Sequence, residues 1–342
     1  MKARSFQPAP QSAKKVLVIL LGDLGYFIQG LAAAKVIREH HFGARITLLT
    51  TPPYKTFAEK CPYFDVVEAD GKPTEPRDIA RLIAHVRSQK FDMIYDLQNS
   101  GRTNNYFHGL KPWPPLWSGA ASGCSHPAHN PARETMHPLD RLADQLHAAG
   151  IGPPEGYLIG AAPLPDLSWI RMSLRDPPRL RPEYFGFKAP YILIIPGSST
   201  EHAHRRWPPE KYAELAGVIA SRGLTPVLVG AAPDRDAANA IAKDEPRAKN
   251  IVARTDLFQV ASLAEHAAAA IGTDSGPMHI AAAAGCPCVV LFPYDANTDI
   301  LAPRGAGGVL TVLAPELADL PVADVDRAIG NLGAYAAVTS AA

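Results

Sequence analysis

Two stretches of this chain restrict its fold more than any other feature. KKVLVILL (residues 14–21) and YILIIPG (residues 191–197) are apolar for the length of a strand and stop at a glycine-containing turn. A strand with no polar alternation is covered on both faces, which is the habit of parallel sheets. Each run is followed by alternating strand and helix patterns. In the first half a helix follows in YFIQGLAAAKVIREHH, then strands in ARITLLT and FDVVEA, a helix in EPRDIARLIAHVRSQK and a strand in FDMIYDLQ. In the second half PPEKYAELAGVIASRG is a helix, TPVLVG a strand and DRDAANAIAKD a helix. FQVASLAEHA is a further helix, AAAIGT a strand, GPMHIAAAAG a helix and PCVVLF a strand, with a helical tail in VADVDRAIGNLGAYAAV. The expected class is α/β, with two doubly wound halves. A length of 342 residues suits two domains.

The composition, 47% hydrophobic and 20% charged, is that of a globular chain. A net charge of +1 gives no electrostatic basis for binding nucleic acid. No apolar run approaches the ~20 residues of a membrane span. The start, MKARSFQPAPQSAKK, lacks a signal-peptide core, so residues 1–13 read as a disordered leader and the protein as cytoplasmic. Cys61, Cys124, Cys286 and Cys288 have no partner Cys/His pair at zinc spacing and read as buried thiols, and no H-E-x-x-H occurs. No protein-bound metal or cofactor is expected. Residues 110–135, with five prolines, read as a long irregular loop, and the proline-rich residues 152–190 as the connection between domains.

Ligands of doubly wound sheets bind beyond the carboxyl ends of the strands. Four polar stretches fall there. In LGDLGY, Gly22 and Gly25 let a turn approach a ligand with Asp23 at its apex; Asp23 reads equally as a helix cap. In GSSTEHAHRRW, the hydroxyls of Ser198, Ser199 and Thr200 and the guanidinium of Arg205 suit phosphate oxygens. In VGAAPDRD, Asp234 suits a ribose diol or, equally, the dipole of a helix start. In GTDSGPMH, Ser275 and Gly276 stand at a helix N-terminus, an anion site, and His279 lies one turn further on the same face. A cap accounts for Ser275 but not for the aligned His279. Asp274 would repel phosphate, so it suits sugar hydroxyls or the orientation of His279. The G-x-G-x-x-G dinucleotide fingerprint is absent. Together these residues describe a diphosphate and nucleoside held by the C-terminal half.

At these motifs the chain resembles glycosyltransferase family 9, the bacterial lipopolysaccharide heptosyltransferases and their relatives. GSSTEHAHRRWPPEKYAEL, GTDSGPMHIAAAAGCPCVVLF and LGDLGYFIQGLAAAKVI carry the resemblance, which extends from Val16 to about residue 330. It implies a GT-B fold: two Rossmann-like doubly wound domains facing across a cleft. It also implies inverting transfer of heptose from an ADP-activated donor, with no essential metal. By the resemblance, Arg205 contacts donor phosphate and sugar, Ser199 and Thr200 belong to the phosphate loop and Asp234 is near the ribose. Asp274, Ser275, Gly276 and His279 form the sugar and diphosphate site. The expected division is a leader at 1–13, an acceptor-side domain at 14–165, a linker at 166–188 and a nucleotide-sugar domain at 189–342 that includes the C-terminal helix. Gly22, Gly25, Tyr26 and Arg102 are expected on the acceptor side. The implied partners are an ADP-sugar and a glycan or lipid-linked acceptor at the cytoplasmic face of the inner membrane.

One position departs from the family pattern L-G-x-x-G-D. Tyr26 stands where the aspartate presumed to be the general base belongs. A tyrosine, with a pKa of ~10, is a poor base near neutrality. Asp23, three residues earlier, is the expected substitute. An active transferase, a relative that binds nucleotide sugar without transferring it, and a transferase acting on protein acceptors all accommodate these residues.

Overall fold

A computed structural model describes residues 9–197 and 206–336 of the chain. The chain divides into two compact units, Met1–Pro165 and Asp166–Ala342. The first contains β1 (Lys15–Ile19), α1 (Leu24–His40), β2 (Arg45–Leu49), α2 (Lys55–Ala58), β3 (Val66–Glu68), α3 (Pro76–Gln89), β4 (Met93–Asp96), α4 (Gly101–Gly109), β5 (Leu116–Gly119), β6 (His126–Pro127) and α5 (Pro138–Ala148). Among the described residues its sheet is six-stranded, in the order β3-β2-β1-β4-β5-β6, with parallel pairing throughout. The second unit contains α6 (Trp169–Leu174), β7 (Tyr191–Ile195), α7 (Pro209–Ser221), β8 (Thr225–Leu228), α8 (Arg235–Asp244), β9 (Lys249–Asn250) and α9 (Leu257–His266). It continues through β10 (Ala269–Thr273), α10 (Gly276–Ala283), β11 (Cys288–Pro293), α11 (Thr298–Leu301), β12 (Val309–Ala314) and α12 (Val322–Asn331). Its sheet order is β12-β11-β10-β7-β8-β9, again all parallel.

Both orders are the doubly wound one, starting from a central first strand. The two apolar runs of the sequence are those first strands. All five residues of β7 are buried, as are four of five in β1. Each buried aliphatic side chain there contributes roughly 1.5–3 kcal/mol. In each sheet the strand order reverses between the first strand and its other neighbour, β1 against β4 and β7 against β10. Loops leaving a sheet at that reversal diverge, and the gap between them is where a ligand fits.

The reading of residues 110–135 as an irregular loop needs correcting. The segment holds β5 and β6, and Trp117 is fully buried. Its strands are only four and two residues long, too short for their apolar character to stand out among prolines. Pro127 sits in the edge strand, a place in a sheet that tolerates it. Strands β9 and β12 escape the sequence pattern for similar reasons: β9 has two residues, and β12 is mostly half-buried. Ala9 is buried and its N–H donates to the Ala149 carbonyl at 2.7 Å. All four cysteines are buried free thiols. No helix among the described residues is long and apolar enough to cross a membrane.

Candidate functional site

In the second unit, the ends of β7, β8 and β10 converge on Gly197. The Thr273 hydroxyl, closing β10, donates to the Gly197 carbonyl at 3.1 Å. Asp234 ends the turn after β8, and its Oδ2 accepts the Ala231 N–H at 2.7 Å. A Cβ at Gly197 or Gly230 would overlap the Asp234 carboxylate, so both positions require glycine for this approach. Asp234 is half-buried beside the first residue of α8. Next to it, Arg235, Asn239, Asn250, Val252 and Arg254 line a surface pocket of about 290 Å³.

The start of α10 separates the two readings of GTDSGPMH. Ser275 occupies the N-cap position with extended backbone, yet its side chain makes no capping bond. Its Oγ is buried and has no hydrogen-bond partner. A capping serine would have its hydroxyl oxygen on a helix N–H. This one leaves a buried hydroxyl at the positive end of a helix dipole, where negative charge is stabilised. His279, one turn on, is 8% exposed, and its Nε2 lies 3.5 Å from Asp274 Oδ1. Asp274 therefore sits beside the imidazole, as the sequence reading allowed. Thr273 and Gly197 were not among the sequence candidates; the threonine closing a buried strand was the available signal. Ser198, Ser199, Thr200 and Arg205 lie outside the described residues.

The first unit arranges its strand ends differently. Asp23 is exposed and caps α1, Oδ1 accepting the Tyr26 N–H at 2.9 Å. That bond leaves Oδ2 available to another donor. Gly22 packs under the Tyr26 ring, where a Cβ would come within 2.7 Å. Gly25 is buried inside the first turn of α1, not in a ligand-facing loop, because the helix begins two residues earlier than its aromatic residues suggest. The Tyr26 hydroxyl donates to the Leu97 carbonyl at 2.7 Å. Burial pushes its pKa up to about 12, with the Arg133 guanidinium acting in the opposite sense. This phenol keeps its proton. Arg102 lies on α4 and donates to the Pro73 carbonyl at 2.6 Å, bracing a loop.

The sequence reading missed Asp96, at the end of β4 beside the strand-order reversal. It is fully buried, and burial pushes its carboxyl up to about 6 although the Asn99 N–H donates to its Oδ1 at 3.0 Å. Its Oδ2 has no partner, and neither does the buried Trp117 indole N–H. Asn99 links this region to α5 through the Gln145 side chain at 2.6 Å. The polar end of FDMIYDLQ was the only local signal. Among the described residues, no group of three His, Cys, Asp or Glu side chains is arranged to hold a metal ion.

The chain is similar to known proteins in sequence and in fold. Residues 168–303 match the model of glycosyltransferase family 9 (heptosyltransferase). Lipopolysaccharide heptosyltransferase 2 of Salmonella typhimurium is 36% identical over 108 residues, 30% of this chain and 31% of that protein. The aligned stretch is thus under a third of that relative's length. Lipopolysaccharide core heptosyltransferase OpsX of Haemophilus influenzae is 22% identical over 292 residues, 83% of this chain and 80% of the relative. The structure of Escherichia coli heptosyltransferase WaaC with ADP superposes with a TM-score of 0.73 at 16% identity, covering 93% of this chain and 99% of that one. The chain has the GT-B fold, and its residues 168–303 are similar to glycosyltransferase family 9.

Proposed function

We propose that the protein is an inverting glycosyltransferase that moves heptose from ADP-heptose to a lipopolysaccharide core or related glycan. The observation that carries this reading is the start of α10. A buried, unpartnered Ser275 hydroxyl and the Asp274–His279 pair stand at a helix N-terminus inside the segment that matches the family. Ser275, Gly276 and His279 hold the diphosphate and stabilise the charge it gains on leaving. Asp274 holds sugar hydroxyls or fixes the imidazole. Asp234 takes the ribose hydroxyls, and the neighbouring Arg235–Arg254 pocket leaves room for the base. Ser198, Ser199, Thr200 and Arg205 complete the phosphate contacts. The relatives named above act on lipopolysaccharide, and one was solved with ADP; these support the donor and acceptor classes.

In the transfer, an acceptor oxygen bonds to the anomeric carbon as the bond from that carbon to the diphosphate breaks. The acceptor proton passes to a base. Tyr26 cannot serve, and Asp23 is the exposed carboxylate of that turn. The site of action is the cytoplasm, with a peripheral contact at the inner membrane. Calorimetry with ADP, UDP, GDP and TDP, followed by ADP-heptose turnover on the same sample, tests the reading. Selective ADP binding with transfer is expected; absence of any nucleotide binding overturns it. A second reading, a nucleotide-sugar binder without transferase activity, is favoured by the Tyr26 hydroxyl on the Leu97 carbonyl. Selective binding with no turnover on several acceptors would establish that alternative.

A further inference from the structure

Strands β10 and β11 are neighbours, with Thr273 opposite Leu291. Adjacent strands lie about 4.8 Å apart, so the chain leaves both by the same end of the sheet. From β10 it enters Asp274, Ser275 and the start of α10. From β11 it enters Tyr294, Asp295, Ala296 and Asn297. The backbone of this second loop is well held. The Tyr294 N–H donates to the Ala314 carbonyl at 2.9 Å, and Ala296 closes a turn onto the Pro293 carbonyl at 3.1 Å. Its side chains are not held. Tyr294 is 64% exposed, and Asp295 and Asn297 are exposed. Asn297 starts α11 without capping it. Among the described residues, no side-chain hydrogen bond or ion pair engages Asp295 or Asn297.

A lone exposed tyrosine is unremarkable. This one shares a fixed loop with a carboxylate and an amide, beside the helix start assigned to the diphosphate. A sugar ring offers a face of C–H groups and an edge of hydroxyls. An aromatic ring suits the first, and a carboxylate with an amide suits the second. We propose that Tyr294, Asp295 and Asn297 form the subsite for the sugar ring of the nucleotide-sugar donor, and thereby set which sugar is accepted. This inference rests on the donor-site reading above. It assigns the sugar to a loop that the sequence motifs do not reach.

The test is calorimetry on the full chain and on Tyr294→Ala, Asp295→Ala and Tyr294→Phe, with thermal unfolding as the check on folding. Each is titrated with ADP, UDP, GDP and TDP and with ADP-heptose, UDP-glucose, GDP-mannose and TDP-rhamnose. For the diphosphate that the wild type prefers, both alanine variants should bind its sugar conjugate about tenfold more weakly and the bare diphosphate unchanged. Tyr294→Phe should keep wild-type affinity for both. Equal losses for diphosphate and conjugate, or no loss, overturn the subsite while leaving the donor site intact. A wild type that binds none of the eight probes overturns the donor-site reading and the subsite with it.

Discussion

The two units wind their sheets in the same order, yet they treat the polar groups at the reversal point in opposite ways. In the second unit the hydroxyl at the start of α10 is left without a partner. Ser275 declines to cap its helix, and its hydroxyl has no partner. In the first unit the corresponding groups are engaged within the fold. Asp23 caps α1, Tyr26 donates to Leu97, Arg102 donates to Pro73 and Asn99 contacts Gln145. Asp96 Oδ2 and the Trp117 indole N–H there have no partner, and both lie in the interior rather than at a helix start. A shared topology thus supplies a location for chemistry without supplying the chemistry. The difference lies in which hydrogen bonds the fold completes on its own.

The largest effect expected from breaking this comparison is on Asp23. Asparagine caps a helix as well as aspartate, so Asp23→Asn should fold normally and bind ADP as before. Loss of the base should lower transfer from ADP-heptose by about 10²–10⁴-fold. Steady-state turnover beside calorimetry checks both parts, and normal turnover would remove Asp23 from the catalytic role.

Next is the buried Asp96. Its carboxyl holds its proton up to about pH 6 in the fold, against an ordinary 3.8. Between those values the folded chain binds more protons than the unfolded one, so this group's contribution to stability falls as pH rises. Asp96→Asn should be more stable than wild type above pH 7, by on the order of 3 kcal/mol. His41 acts in the opposite sense. Burial pulls its pKa down to about 4, so its contribution is lost as pH falls from 6.5 towards 4. Removing the Asp96 charge should therefore steepen the rise of stability between pH 4 and 6. Urea unfolding across that range gives the answer; parallel curves for the two proteins would count against a carboxyl held protonated by burial.

A smaller effect is expected at α10. Ser275→Ala with His279→Ala should weaken ADP binding by about tenfold to a hundredfold. Unchanged affinity in calorimetry would dismiss the anion site. Smallest is Arg102→Ala, which loses one hydrogen bond to the Pro73 carbonyl. A stability decrease of about 1 kcal/mol with unaltered ADP binding is expected in denaturant titration. Reduced transfer at constant stability would instead assign Arg102 to the acceptor.

The central strands and most helices were legible because their signals are local. An apolar run of five or more residues identifies β1, β7 and β11 wherever the chain goes. The strand-end motifs were legible for the same reason: a parallel strand followed by glycine and a helix places its polar residues at one end of a sheet. Strands β5, β6, β9 and β12 were not, because they are short or half-exposed and take their strand character from the neighbour they pair with. Gly25 was misplaced because a helix start depends on its cap, and Asp23 caps one residue before the helix begins.

What this sequence determined by itself is the class of fold, its two doubly wound halves and the strand-end positions of the polar motifs. Apolar periodicity and turn chemistry act over a few residues, so they can be read from the chain alone. Only the tertiary structure decided which of those residues are left with hydrogen bonds to give. Tyr26 is engaged by a carbonyl 71 residues away, Thr273 reaches a carbonyl 76 residues away, and Ser275 finds no partner at all. Whether a polar group is satisfied depends on what packs against it, and for these groups the partners come from distant parts of the chain.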